Sequence, residues 1–395
     1  MSARPPVTDW ASDFDHLDPQ WTANPYPIWD GLRQTCPIAH TDRFMGVYFP
    51  TRYEDIRVIA QDTEHFSSRR IIVREGRPPV PAAPPITSDP PEHRPQKAVL
   101  LPAFTPAAIQ RHAPAVRELC GKLIDRLDGR SGCDGAVEYA QEIPVRIIAT
   151  ILGISETAGD QFRKWIHEIL ELGITDPKIL ARAHGEVADF FSAEIARREG
   201  ARGDDLISYL MDVRTEAGPL SRYDIIGILR LLLIAGIDTT WSAIGSCLWH
   251  LATHPEDRRR LVAEPQLMPT AVEEFLRAYA PVTMAREIVK ETEINGCRFR
   301  PGEMVMLSFP AANRDPGMFE DADRVVIDRA SNRHAAFGLG IHRCLGSNLA
   351  RLEITVALEE WLRRIPEFAL APGATVTWSS GTVRGPRRLP LVIPN

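Results

Sequence analysis

Between Pro102 and Pro281 the chain repeats its apolar positions at spacings of three and four, and outside that span it breaks into short alternating runs. The helical spacing runs through TPAAIQRHAPAVRELCGKLIDRL, VRIIATILGI, the stretch from Gln161 to Leu172 and KILARAHGEVADFFSAEIARREG. Each predicts an amphipathic helix with one face turned to a core. RYDIIGILRLLLIAGIDTTWSAIGSCLWHLATH, which follows Ser221, is apolar almost all round in its middle. That predicts a long helix in the interior, capped by Ser221. About 32 residues at 1.5 Å each make it on the order of 48 Å long.

Upstream, Arg43 to Phe49 alternates like a strand and Tyr53 to Ile59 is helical, which predicts a small strand-rich subregion. Arg77 to His93, RPPVPAAPPITSDPPEH, holds seven prolines; with so few backbone donors it should be an extended surface loop. After Pro281, REIVKETEING, FRPGEMVMLSFPAANRDP and TWSSGTVRGPRRLPLVIPN predict short strands and turns. The fold class is therefore mainly α with a minor β subregion. With no internal repeat and no Gly/Ser linker, the expected organisation is an N-terminal segment, 1–23, and one continuous domain, 24–395.

At 395 residues, 44% hydrophobic and 25% charged, the chain can build a core large enough to enclose a cofactor. A net charge of −6, without a polybasic tail, makes no case for nucleic acid or an anionic membrane. Arg258, Arg259 and Arg260 are expected on a solvated helix face. The six cysteines fall at irregular spacing without C-x-x-C, which fits a reducing compartment. The polar, acidic start MSARPPVTDWASDFDHLDPQ lacks a secretion signal. In the longest apolar stretch Asp238 interrupts any candidate span. A cytoplasmic protein is expected.

The candidate chemistry begins at FGLGIHRCLG, Phe337 to Gly346. Cys344 sits there in a glycine-punctuated loop that opens into the apolar helical run LGSNLARLEI. Gly340 and Gly346 permit close backbone approach, Phe337 supplies a flat apolar wall, and free amides at the helix start can favour the thiolate. The other five cysteines, Cys36, Cys120, Cys133, Cys247 and Cys297, are read as small buried apolar residues. Within the long helix, AGIDTT puts Asp238, Thr239 and Thr240 among apolar neighbours, where unpaired polar groups are costly. Either the threonines bond back to carbonyls one turn earlier while Asp238 meets a basic partner, or Gly236 and a hydroxyl locally open the helix at a reactive site. Glu274 and Arg277 of EEFLR lie three apart on one helix face, close enough to pair.

F-x-x-G-x-x-x-C-x-G resembles the haem-binding loop of the cytochrome P-450 (haem-thiolate) monooxygenases, and the resemblance extends from about Asn24 to the end of the chain. It implies a single-domain fold with haem b between the long central helix and the cysteine loop, and Cys344 as the metal ligand. AGIDTT resembles the family's A/G-G-x-D/E-T-T pattern, which implies catalytic roles for Asp238 and Thr239 in proton delivery. The resemblance makes Glu274, Arg277 and Arg329 a supporting trio. It also places His93, Lys97, Arg286, His342, Phe337, Gly340 and Gly346 around the cofactor. Lys97 stands where the family usually has arginine, keeping the charge without the bidentate fork. Ile86, Leu232, Ala235, Val282, Thr283, Ala285 and Val383 are expected to line an apolar substrate pocket, near the turn at Thr382. Arg70, Arg74 and Arg77 could receive a substrate carboxylate, but the favoured reading is solvated loop charges.

The activity implied is insertion of one oxygen atom from O2 into a hydrophobic small molecule by hydroxylation, epoxidation or dealkylation. Electrons would come from NAD(P)H through a separate reductase and a ferredoxin or flavodoxin, docking near Arg343 on a monomer. Three rival readings are a peroxide-dependent peroxygenase, against which the Asp238–Thr239 pair argues, a haem-based sensor or carrier, and a non-catalytic helical protein whose cysteine belongs to the core.

Overall fold

In the computed structural model, which describes residues 4–216 and 218–394, the apolar periodicities become helices packed around one long rod. That rod is the central helix Arg222–Thr253, and the Ser221 hydroxyl caps it by accepting from the Asp224 amide. It is long and apolar enough to cross a membrane by length and composition, but 61% of its apolar window is buried inside the fold. Helices Ala113–Asp125, Glu142–Leu152, Pro177–Arg198 and Ser347–Arg364 contribute to the same large core. The stretch from Gln161 to Leu172 forms the helix Gly159–Leu170 and a short turn after it.

A five-stranded sheet stands to one side, in the order Ile38–Thr41, Val47–Pro50, Met304–Ser308, Thr283–Ile288, Phe66–Ser67. Its central pairing is antiparallel, with Val305 opposite Arg286 and Ser308 opposite Thr283. Because side chains alternate along a strand, Met284 and Ile288 pack into one apolar cluster and Ala285 into another. Only Val47–Pro50 of the expected strand Arg43–Phe49 is extended. Arg43–Met45 is a tight turn, with Phe44 and Met45 at φ of 56° and 67°. The alternation there reflects a turn followed by a strand. The helix over Tyr53–Gln61 and the irregular proline-rich loop, ended by the helix His93–Leu100, follow expectation.

Phe14 and Trp21 are buried in the cluster that contains Ala285. One expectation is corrected by packing. Arg258 is 3% exposed and donates to the carbonyls of Leu251, Pro366 and Phe368, with its guanidinium over the Phe368 ring. A chain segment a hundred positions away covers what the local pattern marks as a solvated face.

Candidate active site

The cysteine loop is shaped by glycines at two positions. Gly338 and Gly340 have φ of 73° and 71°, and a Cβ on Gly340 would lie 2.5 Å from the Ala60 carbonyl oxygen, at the end of the helix Tyr53–Gln61. The loop can therefore lie flat against that helix only with glycine there. The Cys344 amide closes the turn by donating to Phe337 O at 2.7 Å. Gly346, by contrast, has an ordinary φ of −77° and caps the helix Ser347–Arg364. A Cβ there would sit 3.9 Å from the sulfur, an ordinary van der Waals contact, so neither backbone freedom nor contact with the protein requires glycine at this position.

Cys344 opens to one side and is crowded by protein on the others. Burial pushes its thiol pKa up, against the Gly346 amide and the charges of Lys97, Arg343 and Arg351, which pull it down. The amides at the helix start are thus outweighed by desolvation, and a bound metal has to supply the rest of the drive to a thiolate. Beneath the loop, the Arg351 guanidinium sits 4.4 Å from the centre of the Phe337 ring.

Four basic residues converge beside the loop. The His93 and His342 rings meet edge to face at 4.4 Å, and His342 Nε2 lies 2.8 Å from Ser68 Oγ. Arg286, projecting from its strand on the face opposite Ala285, is 4% exposed and donates to the carbonyl of Ala285. Lys97 Nζ reaches the carbonyls of Ile341 and Arg343 at 2.6 and 2.9 Å, tying helix His93–Leu100 to the cysteine loop. Burial pushes the Arg286 pKa down to about 10, and burial together with Arg286, His93 and Lys97 lowers that of His342 to about 3. His93 Nε2 is buried without a hydrogen-bond partner among the described residues. With the pKa values of both histidines lowered, the charge of the cluster rests on Arg286 and Lys97, and Asp89 is the carboxylate whose charge reaches Arg286 and His93. Two carboxylates, such as haem propionates, would provide the acceptors that Arg286 and His93 lack.

On the central helix, Leu232, Ala235 and Thr239 are accessible, as are Leu231, Ile234 and Gly236 beside them, while Leu233, Ile237, Asp238 and Thr240 are buried. Thr239 Oγ1 donates to Ala235 O at 2.7 Å, one turn earlier. The helix is continuous through Gly236, whose missing Cβ would come within 2.6 Å of Ile148 Cδ1. Gly236 therefore admits helix Glu142–Leu152 to close packing, and the expected local opening of the helix is absent.

Asp238 faces the other way and is 0% exposed. Its two carboxylate oxygens lie 2.9 and 3.0 Å from Arg387 Nη2. Arg387 also donates through Nε to Glu171 at 2.8 Å, and its guanidinium stacks over Trp241 at 4.2 Å. Gly385 brings Arg387 within reach: a Cβ there would collide with Ser242 of the central helix. Burial raises the Asp238 pKa and Arg387 opposes the rise. This is the first of the two arrangements: Thr239 bonds back one turn and Asp238 meets a basic partner, which reaches Oδ2 by a hydrogen bond and leaves Oδ1 with the ion pair alone. The basic partner was unreadable from local pattern because it comes from the last dozen residues.

Glu274, Arg277 and Arg329 meet in the interior. Glu274 accepts two 2.8 Å bonds from Arg277, 2.9 Å from Arg329 Nε, 3.0 Å from Asn332 and 2.8 Å from the Val326 amide. Both members of the Glu274–Arg277 pair are 0% exposed. Arg277 in turn donates to the carbonyls of Asn313, Ala322 and Arg324. The result is a pin through the irregular segment that precedes the cysteine loop.

Of the expected pocket residues, Val282 bridges Val383, and the Thr283 amide donates to Thr382 O at 2.9 Å. Ile86 lines a cleft with Leu231 and Ile234 of the central helix. Ala285 does not belong with them. It is 1% exposed, and strand alternation turns it into the core with Met304 and Met306. Arg74 is buried, contrary to its expected solvated state, and Arg77 bonds the carbonyls of Phe44, Met45, Gly46 and Gly302.

A family model, Cytochrome P450, matches residues 44–374. The chain is 33% identical to the mycinamicin IV hydroxylase/epoxidase of Micromonospora griseorubida, over 91% of this chain and 94% of that one. It is 34% identical to the vitamin D(3) 25-hydroxylase of Pseudonocardia autotrophica over 98% of each. Among solved structures, CYP109E1 from Bacillus megaterium in complex with testosterone superposes with a TM-score of 0.88 at 29% identity, covering 95% of this chain and 99% of that one. The chain belongs to the cytochrome P450 family of haem-dependent monooxygenases.

Proposed function

We propose that this cytochrome P450 binds haem b with Cys344 as its thiolate ligand and oxidises one class of apolar-bodied small molecule. The single observation that carries the reading is the placement of Cys344 at a loop flanked by buried donors, Arg286 with one carbonyl partner and His93 with an unpaired Nε2 among the described residues. His93, Arg286 and His342 would hold the propionates. Lys97 would hold the loop itself, through the carbonyls of Ile341 and Arg343. When bound, a thiolate-ligated haem supplies O2 activation, because the thiolate pushes electron density towards O–O cleavage.

The chain's own residues do the rest. Ala235 and Thr239 present an accessible small methyl and hydroxyl, leaving room for substrate while offering one hydrogen-bonding group. Asp238 holds a proton or releases it according to whether Arg387 stays paired. His167, whose pKa is raised by the Glu171 carboxylate 3.7 Å away, extends that polar path through Glu171 and Arg387 towards the surface. The Glu274 network keeps the cysteine loop in register.

The proposed setting is a cytoplasmic monomer receiving electrons from a ferredoxin or flavodoxin near the exposed Arg343. The experiment is Cys344→Ser: it should abolish the red-shifted carbonyl band of the ferrous protein. A variant that retains that band overturns the ligand assignment.

A further inference from the structure

Next to Ala235, the central helix lines a cleft whose chemistry is unlike that of a purely apolar pocket. Its walls carry Arg69, Arg70, Arg74, Arg77, His184 and Arg230, and none of its lining residues is aspartate or glutamate. Two of these arginines are deeply buried. Arg74 is 6% exposed and bonds only the carbonyls of Ile169 and Gly173, at 3.1 and 3.4 Å. Arg230 is 3% exposed; its Nη2 donates to Ala82 O at 2.9 Å, and its Nε has no partner among the described residues. His184 Nδ1, on the same wall, is likewise unpartnered.

Arg77 is consumed by backbone carbonyls, and Arg70 has Glu287 at 3.7 Å to balance it. Arg74 and Arg230 have no such carboxylate among the described residues. Buried guanidinium groups are ordinarily paired, because carbonyl dipoles alone repay only part of their desolvation. Burial accordingly lowers the pKa of both, that of Arg74 to about 10. The remaining wall is aliphatic, including Ile72, Ile169 and Ile234.

We infer that this cleft is an anion-recognition site for the substrate, and that the molecule oxidised carries a carboxylate on an apolar body. A planar carboxylate matches the fork of an arginine, and the free Arg230 Nε is one arm of such a fork. The helix also sets a length. Arg230 and Thr239 are nine positions apart, on the order of 13 Å along the axis and about half a turn around it. The skeleton between a carboxylate anchored at Arg230 and the accessible hydroxyl must therefore span at least that rise and curve round the helix surface. This inference rests on reading Thr239 as marking the oxidation site.

The test is equilibrium binding to the haem-loaded protein, by dialysis at neutral pH, of two matched pairs: dodecanoate with dodecanamide, and 4-hexylbenzoate with 4-hexylbenzamide. The acid of at least one pair should bind tenfold or more tightly than its amide. Arg230→Gln and Arg74→Gln should each shrink that ratio at least fivefold, Arg230→Lys should keep part of it, and Arg298→Gln, at an exposed position outside the cleft, should leave it unchanged. The inference is overturned if both amides bind as well as their acids, if neither acid binds at millimolar concentration, or if the ratio survives Arg230→Gln and Arg74→Gln. Should Arg230→Gln fail to fold, Arg230→Lys and Arg74→Gln still decide the matter. The ferrous carbonyl spectrum of the same samples separates the two levels. Acid preference without the thiolate band removes the oxidation reading, and the band without acid preference removes the anion site alone.

Discussion

Arg387 holds Asp238 across 149 positions of sequence, with Nη2 at 3.0 Å from Oδ2, and ties it to Glu171 by a second 2.8 Å bond. The pair joins the middle of the central helix to the strand Pro386–Arg388 and to the end of the helix Gly159–Leu170. Because Asp238 is buried, removing its partner leaves a carboxylate that must either remain charged and unpaired or take up a proton.

Arg387→Met should therefore destabilise the fold by about 3 kcal/mol, the low end for breaking a buried pair. Asp238→Asn added to it should recover a large part of that loss. Urea unfolding of both singles and the double gives the cycle. Strictly additive effects would mean that the two side chains are not energetically coupled.

Thr239→Ala removes a hydroxyl that bonds back to Ala235 O, an interaction contributing at most about 1 kcal/mol to stability. The variant should fold and bind haem normally. Supplied with a surrogate redox chain, it should keep consuming NAD(P)H while product falls severalfold and hydrogen peroxide rises. Unchanged coupling would leave the hydroxyl with a purely structural role.

Glu274 accepts from four different residues in the interior. Glu274→Ala strands Arg277 without its countercharge, at a cost of about 3–5 kcal/mol, and frees the segment leading to the cysteine loop. The purified variant should show low haem occupancy by its absorbance ratio. Full occupancy with native stability would contradict the supporting role.

Glu353, on the helix that follows the cysteine loop, is fully buried with neither carboxyl oxygen hydrogen-bonded, and burial pushes its pKa well above the usual value. The folded protein keeps this proton, whereas the unfolded chain releases it near pH 4.3, as a free glutamate does, with about that value. Its contribution is fully present below that pH and is lost as pH climbs towards the elevated folded value. Wild-type stability should fall by up to about 1.4 kcal/mol per pH unit in that window. Glu353→Gln should flatten the slope and be the more stable protein at pH 8. Equal slopes in denaturant titrations at pH 5.5 and 7.5 would show that Glu353 does not titrate on unfolding.

What could be read along the chain was local. Apolar spacing marks the central helix and its Ser221 cap, because helix geometry makes neighbours of residues three and four apart. The glycine loop around Cys344 and the Glu274–Arg277 pair are legible for the same reason: both are contained within a turn or two of backbone. Periodicity also named Asp238 as a buried acid in need of a cation.

Only the packed chain chose which cation. Arg387 reaches Asp238 because glycine at 385 lets the strand lie against the central helix. Arg74, Arg230 and Arg258 look solvated or unremarkable in sequence, yet segments remote from each of them cover all three. Ala285 is turned from the expected pocket into the core by the register of its sheet. A side chain's surroundings depend on which distant segments fold over it, and no period of two or 3.6 residues carries that information.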